Sequence, residues 1–503
     1  MKHLKPALFL ISALLITGCN NVSKESREEP KSEVVSSEDI PGGNPSSELV
    51  SSHSSGSTPA PISSENSSRS STATSSGKTS TSTSKEDDPN RGVVSANIPC
   101  LVPGTKEGGY DINIAYDDTY FDNSATTFND GLKMMSFGAS LATTKEQLEQ
   151  FYDDMDYQNI TVQFPTPTEN SIGYGLAYKP HTSYNLVAVS IRGFNYGAEW
   201  ASNITVGKEG NHQGFNAKAE EVLTALRTYI TALGNKSYKL WITGYSRGGA
   251  IANLLASKLM KDNFSKDNLF VYTFAAPRGV CEADAIEYEN VFNLLNSNDL
   301  VARIPPQEYG LYRCGKDIII NTADKNIDEK IKELDENIEL PIFTPSSGTF
   351  DTEADFTNFI VENLLQDTQD DTTNLNTREA FVNNYQDHIA YAIGLFFSMP
   401  SSTLDKIKTA FLALDTGTIL GMLGSDDGLY NFIKPILDED NFAYDDAKLQ
   451  TGCATLTKLL RTKILILFLL ASEDYKNDLM RMIYMHSPET VYVLIKDNVP
   501  DSN

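Results

Sequence analysis

Along the middle of the chain, apolar runs of strand length alternate with patterns of helical period. Leu186 to Ile191, Leu240 to Thr243, Leu269 to Phe274 and Val291 to Leu295 are near-continuous apolar stretches, as strands buried on both faces are. Between the first two, Ala219, Val222, Leu223, Leu226, Tyr229, Ile230 and Leu233 recur at helical spacing. After the second, Ala250 to Leu259 is rich in good helix formers and begins with small residues that let a helix approach a sheet closely. This alternation predicts an α/β fold with a mostly parallel sheet and helices on both faces. In such sheets chemistry gathers at the carboxyl ends of the strands.

The ends of the chain follow other patterns. Lys2 and Lys5 precede an apolar run from Ala7 to Ile16, then Thr17-Gly18-Cys19, which reads as an export signal over residues 1–18. The run is too short for a comfortable membrane span. Ile16-Thr17-Gly18-Cys19 resembles a lipobox, so Cys19 is expected to carry lipid and anchor the protein to a membrane. Residues 19–97 are rich in serine and threonine, with too little apolar content to offset ordering entropy, and are expected to be a disordered tether. The expected folded domain is 98–503, longer than one typical domain, so a core with a large insertion is anticipated.

Charge narrows the partners. The 503 residues carry a formal charge of −26, or −28 once Lys2 and Lys5 leave with the signal. Nucleic acid, or docking on anionic lipid through the protein's own surface, is therefore disfavoured. Of five cysteines, Cys19 is assigned to lipid; Cys100, Cys281, Cys314 and Cys453 match no metal-site spacing, and their pairing cannot be read from sequence.

The chemistry concentrates at Gly244-Tyr245-Ser246-Arg247-Gly248, between the Leu240 strand and the Ala250 helix. A serine in a tight, strained strand-to-helix turn needs neighbours without side chains at −2 and +2, and Gly244 and Gly248 supply them. The turn exposes the hydroxyl and aims a helix N-terminus at the place where an oxyanion would form. Ser246 is thus a candidate nucleophile for acyl-ester chemistry. Asp299, after the Val291 strand, is the candidate triad acid. Arg192-Gly193-Phe194, after the Leu186 strand, could offer the Phe194 N–H as one oxyanion donor, with the Arg247 N–H as the other.

These residues resemble the class 3 lipase family of the α/β-hydrolase fold, in particular its bacterial branch. The resemblance runs from about Tyr116 to Asn321 and again near the C-terminus. It rests on Arg192-Gly193, Asn211 to Phe215, Gly244 to Gly249, Thr273 to Arg278 and Asn298 to Pro305. Fungal and plant members usually carry histidine before the serine and leucine after it, where this chain has Tyr245 and Arg247.

A triad needs an imidazole. Of six histidines, His3 leaves with the signal, His53 is in the tether, His181 follows Pro180 at an expected hairpin tip, and His212 precedes the nucleophile. His388 lies on a helical stripe with Phe381, Tyr385, Ile389, Ala392 and Phe396, the usual setting of a core histidine, although Asp387-His388 resembles a region of some fungal members. His486 precedes Ser487-Pro488-Glu489, a helix-start signature that places it on a loop. It is the preferred base, with His388 as runner-up. If His486 is the base, about 322–485 is a mainly helical insertion, with the apolar run Ile464 to Ala471 as a buried helix or a lid.

The resemblance implies a serine carboxylic-ester hydrolase of lipase or esterase type, acting on an acyl ester or lipid, and the signal with its lipobox implies a lipid anchor outside the cytoplasm of a bacterial cell. A triad of this kind needs no metal or organic cofactor. Two other readings share the same residues: an acyltransferase using the triad, and a surface lipoprotein that binds ligands on an inactive hydrolase scaffold. Oligomeric state cannot be read from the sequence.

Overall fold

The computed structural model describes residues 90–99, 108–234, 237–321, 326–336, 343, 350–364, 377–462, 478, 481–482 and 484–496. The expected signal, Cys19, nearly all of the tether, Cys100 and the run Ile464 to Ala471 lie outside these residues. All described residues belong to one compact unit.

The strands in chain order are β1 (Arg91–Ile98), β2 (Tyr110–Asp117), β3 (Gln158–Gln163), β4 (Tyr174–Pro180), β5 (Asn185–Ile191), β6 (Tyr238–Tyr245), β7 (Leu269–Phe274), β8 (Val280–Cys281), β9 (Val291–Asn296), β10 (Leu311–Tyr312) and β11 (Lys316–Ile320). Seven form the central sheet, in the order β11-β9-β7-β6-β5-β4-β3. From β5 to β11 neighbouring strands are parallel, while β3 and β4 extend one edge antiparallel. This is an α/β-hydrolase arrangement with a mostly parallel sheet. Ile191, Gly244 and Thr273 stand side by side, so the carboxyl ends of β5, β6 and β7 are level with one another.

The apolar runs are continuous because both faces are covered. Along β6, Trp241 and Tyr245 join one core with Phe137 of helix Asp130–Ser140, Phe151 of helix Lys145–Asp153 and Val491 of helix Pro488–Lys496. Leu240 and Ile242 alternate to the other face and pack with Phe215, Val222 and Leu226 of helix Gln213–Leu233 and Ile251 and Leu255 of helix Arg247–Lys261.

Two expected boundaries are corrected. β1 pairs with β2 along its whole length and buries Val94, Ala96 and Ile98, so the packed fold reaches into the stretch assigned to the tether. Ile327 and Ile331, on helix Ile327–Lys332, belong to the hydrolase core, so the insertion begins after that helix rather than at 322. Beyond it the described residues are helical: Glu353–Leu364, Arg378–Asn384, Gln386–Ser398, Ser401–Leu412, Thr416–Gly424, Gly428–Glu439 and Asp446–Thr462. The stripe read as one helix through His388 breaks at Tyr385, whose φ of −132° interrupts the helical backbone. Arg378 fastens the insertion to the hydrolase. Its guanidinium donates to the carbonyls of Val206, Gly207, Glu209, Gly210 and Asn211. Among the described residues no helix is long and apolar enough to cross a membrane.

Candidate active site

Ser246 follows β6 and caps helix Arg247–Lys261 with φ 50° and ψ −123°, a conformation that L-residues rarely adopt and that the surroundings must impose. Those surroundings are backbone. A Cβ on Gly244 would lie 2.4 Å from the carbonyl carbon of Gly248, and one on Gly248 would lie 2.3 Å from the Ile191 oxygen. The Ser246 N–H donates to the Phe274 carbonyl at 2.8 Å, locking the turn to the end of β7.

Asp299 sits in the loop after β9 and is fully buried. One carboxylate oxygen, Oδ1, accepts from the N–H groups of Val301 (2.8 Å) and Ala302 (3.4 Å). The other, Oδ2, lies 2.7 Å from His486 Nδ1, and His486 Nε2 lies 2.9 Å from Ser246 Oγ. With the carboxylate accepting at Nδ1, the imidazole tautomer carries its proton there and leaves Nε2 free to accept from the serine hydroxyl. The three side chains assigned from sequence therefore form one hydrogen-bonded relay. Ser487 accepts from the Thr490 N–H at the start of helix Pro488–Lys496, which fixes His486 on the loop before it.

His388 lies elsewhere. It is half-buried on helix Gln386–Ser398, its carbonyl facing Gly452 of helix Asp446–Thr462, and it takes no part in the relay. His212 caps helix Gln213–Leu233, accepting from the Phe215 N–H, while its Nε2 donates to the Asn203 carbonyl. Burial lowers its pKa to about 3, so the ring stays neutral. His181 stands in the turn between β4 and β5.

The two expected oxyanion donors border the serine. A Cβ on Gly193 would lie 2.0 Å from the Tyr245 carbonyl oxygen, so the turn after β5 touches the elbow backbone. The Phe194 ring lies on Tyr245 with centroids 4.7 Å apart. Among the described residues, the backbone N–H groups of Phe194 and Arg247 have no acceptor.

Several side-chain contacts that shape the site were not expected from the sequence. Tyr245 donates its hydroxyl to the His486 carbonyl at 2.7 Å, and Asn296, ending β9, donates to the Met485 carbonyl at 2.9 Å. Burial, with Asp299 and Glu489 adding to it, holds the Tyr245 phenol well above its ordinary pKa, so it remains a donor. Glu199 pairs with Arg192 and Arg247, and Glu353 joins Asn298 to Arg481. Only the polar end of β9 gave a local signal; the other partners lie far apart in sequence. Cys281, Cys314 and Cys453 are free thiols. Among the described residues no cluster of three or more histidine, cysteine or acidic side chains could hold a metal.

Residues 188–309 match the model of the family described as lipase (class 3). A secreted mono- and diacylglycerol lipase of Fusarium solani is 27% identical over 166 residues, 29% of this chain and 48% of that protein. A lipase of Rhizomucor miehei is 31% identical over 117 residues, 21% of this chain and 31% of its own length. The chain thus spans about half or less of these relatives. A solved Rhizomucor miehei triacylglyceride lipase aligns at 20% identity over 38% of this chain and 78% of that one, with a TM-score of 0.30. The segment that matches the class 3 lipase model, 188–309, carries both Ser246 and Asp299.

Proposed function

We propose that the protein is a serine carboxylic-ester hydrolase of the lipase or esterase kind, working through Ser246, His486 and Asp299 and an acyl-enzyme intermediate. The observation that carries this reading is the continuous relay from Asp299 Oδ2 through both ring nitrogens of His486 to Ser246 Oγ. Ser246 Oγ attacks the ester carbonyl carbon while its proton passes to His486 Nε2. Negative charge builds on the carbonyl oxygen, facing the Phe194 and Arg247 amides, where fixed donors act most strongly. Collapse of the tetrahedral intermediate breaks the bond to the alcohol oxygen, which leaves with the proton from Nε2. Water then attacks the acyl-serine, gives its proton to Nε2, and the second collapse returns a proton to Oγ and releases the carboxylic acid. Asp299 orients the imidazole and stabilises its charged form. The cycle calls for no metal or organic cofactor.

The names of the fungal relatives support a lipid or other acyl ester as substrate. The same reading extends to the amino-terminal segment. A lipid on Cys19 would hold the enzyme on the outer face of a bacterial cell membrane, as part of a bacterial lipoprotein branch of the family. Incorporation of labelled palmitate, absent from a Cys19→Ala chain, is the expected result.

Fluorophosphonate labelling tests the triad. Wild type is expected to label at Ser246 and to hydrolyse short p-nitrophenyl esters, with both lost in Ser246→Ala and His486→Ala and retained in His388→Ala. Loss with His388→Ala in a folded protein would move the base. No labelling of wild type would leave a binding protein on a hydrolase frame. Transfer to an added alcohol faster than to water would make it an acyltransferase.

A further inference from the structure

Arg247 is the residue after the nucleophile, and its side chain points inward. It is 1% exposed, and its guanidinium donates to Glu199 Oε2 at 3.0 Å and to Ser202 Oγ at 3.0 Å, above the Tyr196 ring. Glu199 is fully buried. Its other oxygen, Oε1, accepts from Arg192 at 2.5 Å and from Ser171 Oγ at 2.7 Å. Arg192 stands two residues before Phe194. One buried carboxylate therefore ties together the two segments that carry the oxyanion-side amides.

The tie has a consequence for catalysis. An oxyanion donor works by being in place before charge develops, and small displacements of such a group are costly. The Phe194 amide comes from a loop and the Arg247 amide from a helix end, and the two share no covalent frame that would fix their separation. Charge-assisted hydrogen bonds from both guanidiniums to a single carboxylate supply that frame. Removing Glu199 would leave two buried guanidiniums unmatched, whereas either arginine alone still balances the carboxylate.

We propose that Glu199, through Arg192 and Arg247, is the positioning residue that sets the oxyanion geometry. It follows that the arginine after the nucleophile serves this bridge rather than the substrate. The inference rests on the hydrolase reading above and names what holds its oxyanion donors in register.

Arg247→Leu is the first test. It leaves Glu199 paired with Arg192, so no charge is stranded, while the backbone N–H is kept and only the tie to the helix is cut. Wild type and variant are compared on p-nitrophenyl butyrate, with kcat counted per active site titrated by a fluorophosphonate. The expected result is a kcat lower by roughly 10- to 100-fold with KM within about two-fold, because the lost contacts act in the transition state. Affinity for a boronic acid that mimics the tetrahedral adduct should fall by a like factor, and Arg247→Lys should recover part of it. If Arg247→Leu does not fold, Glu199→Asp reads the same geometry with every charge retained, and the same fall is expected. A purely structural role would lower the titrated fraction and leave kcat per site unchanged, and that result overturns the proposal. Absence of both turnover and labelling in wild type would instead overturn the hydrolase reading, and this inference with it.

Discussion

The Tyr245 hydroxyl donates to the backbone carbonyl of His486 at 2.7 Å, deep in the core, with the two rings 5.7 Å apart. The residue before the nucleophile thus holds the loop that carries the base. Asn296 does the same one carbonyl earlier, on Met485. Side chains from the ends of β6 and β9, strands adjacent to β7 on either side, pin two successive peptide groups, so the imidazole is aimed by its own backbone as well as by Asp299.

Tyr245→Phe removes that donor without changing the packed ring. The His486 carbonyl loses a buried partner, a loss worth about 1–3 kcal/mol. The expected outcome is a lower urea midpoint with an unchanged m-value, and a kcat reduced several-fold while Ser246 still labels. Equal midpoints and equal kcat would show that the Tyr245 hydroxyl has no part in orienting the base.

The elbow, the acid and the parallel strands were legible because each has a local cause. The serine turn needs glycine at Gly244 and Gly248, and buried strands need continuous apolar runs. His486 was legible through Ser487-Pro488-Glu489, a cap signature that does not depend on the rest of the fold. It could not be separated from His388 by periodicity, since a stripe only reports that a face is buried, not against what. In the structure that face packs against the hydrolase, with Ile389 and Ile393 against Trp200 and Ile204. The β1 strand was hidden because its burial rests on Val94, Ala96 and Ile98 alone, behind a long serine-rich stretch. The clamps at Glu199 and Glu353 left no signal, because their partners are brought together by the fold rather than by spacing.

The insertion touches the acid loop directly. Glu353, at the start of helix Glu353–Leu364, accepts from Asn298 at 3.1 Å and from Arg481 Nε at 2.8 Å, so one carboxylate spans the neighbour of Asp299 and the turn leading to His486. Asn358 on the same helix accepts from Arg303 at 2.7 Å. Glu353→Ala is expected to lower kcat by about three- to ten-fold, corresponding to the roughly 1 kcal/mol of a partly exposed ion pair and hydrogen bond. Steady-state kinetics on a soluble ester read this; an unchanged kcat would make the insertion a passenger of the hydrolase.

Glu489 is fully buried three residues after His486. Burial pushes its acid up to about 7 from the usual 4.5. A carboxyl raised on folding binds more protons in the native state than in the unfolded one. Its contribution is therefore full below pH 4.5 and lost as pH rises through 7. The swing is of the order of 3 kcal/mol. Glu489→Gln keeps the neutral shape, so it should match wild type near pH 4.5 and exceed it in melting temperature at pH 8. Parallel melting curves across that range would show an ordinary carboxylate there and refute the assignment.

Gly193 is the sharpest point at which backbone contact controls chemistry. A Cβ there would stand 2.0 Å from the Tyr245 carbonyl oxygen and 2.8 Å from its carbon, and neither atom can move without shifting the elbow. Gly193→Ala must therefore part the turn bearing Phe194 from the turn bearing Ser246. The relay among Ser246, His486 and Asp299 does not pass through Gly193, so it should survive. Fluorophosphonate labelling should slow but still reach Ser246, whereas kcat should fall by about 100-fold or more, the cost of a misplaced oxyanion donor. Gly421→Ala serves as the control. It lies within helix Thr416–Gly424, no atom stands within 4 Å of the added carbon, and alanine favours the helix by up to about 1 kcal/mol. Its activity should be unchanged and its stability equal or higher. If Gly193→Ala turned over at the wild-type rate, the amide of Phe194 would have no part in binding the oxyanion, and the second donor would have to come from elsewhere in the loop after β5.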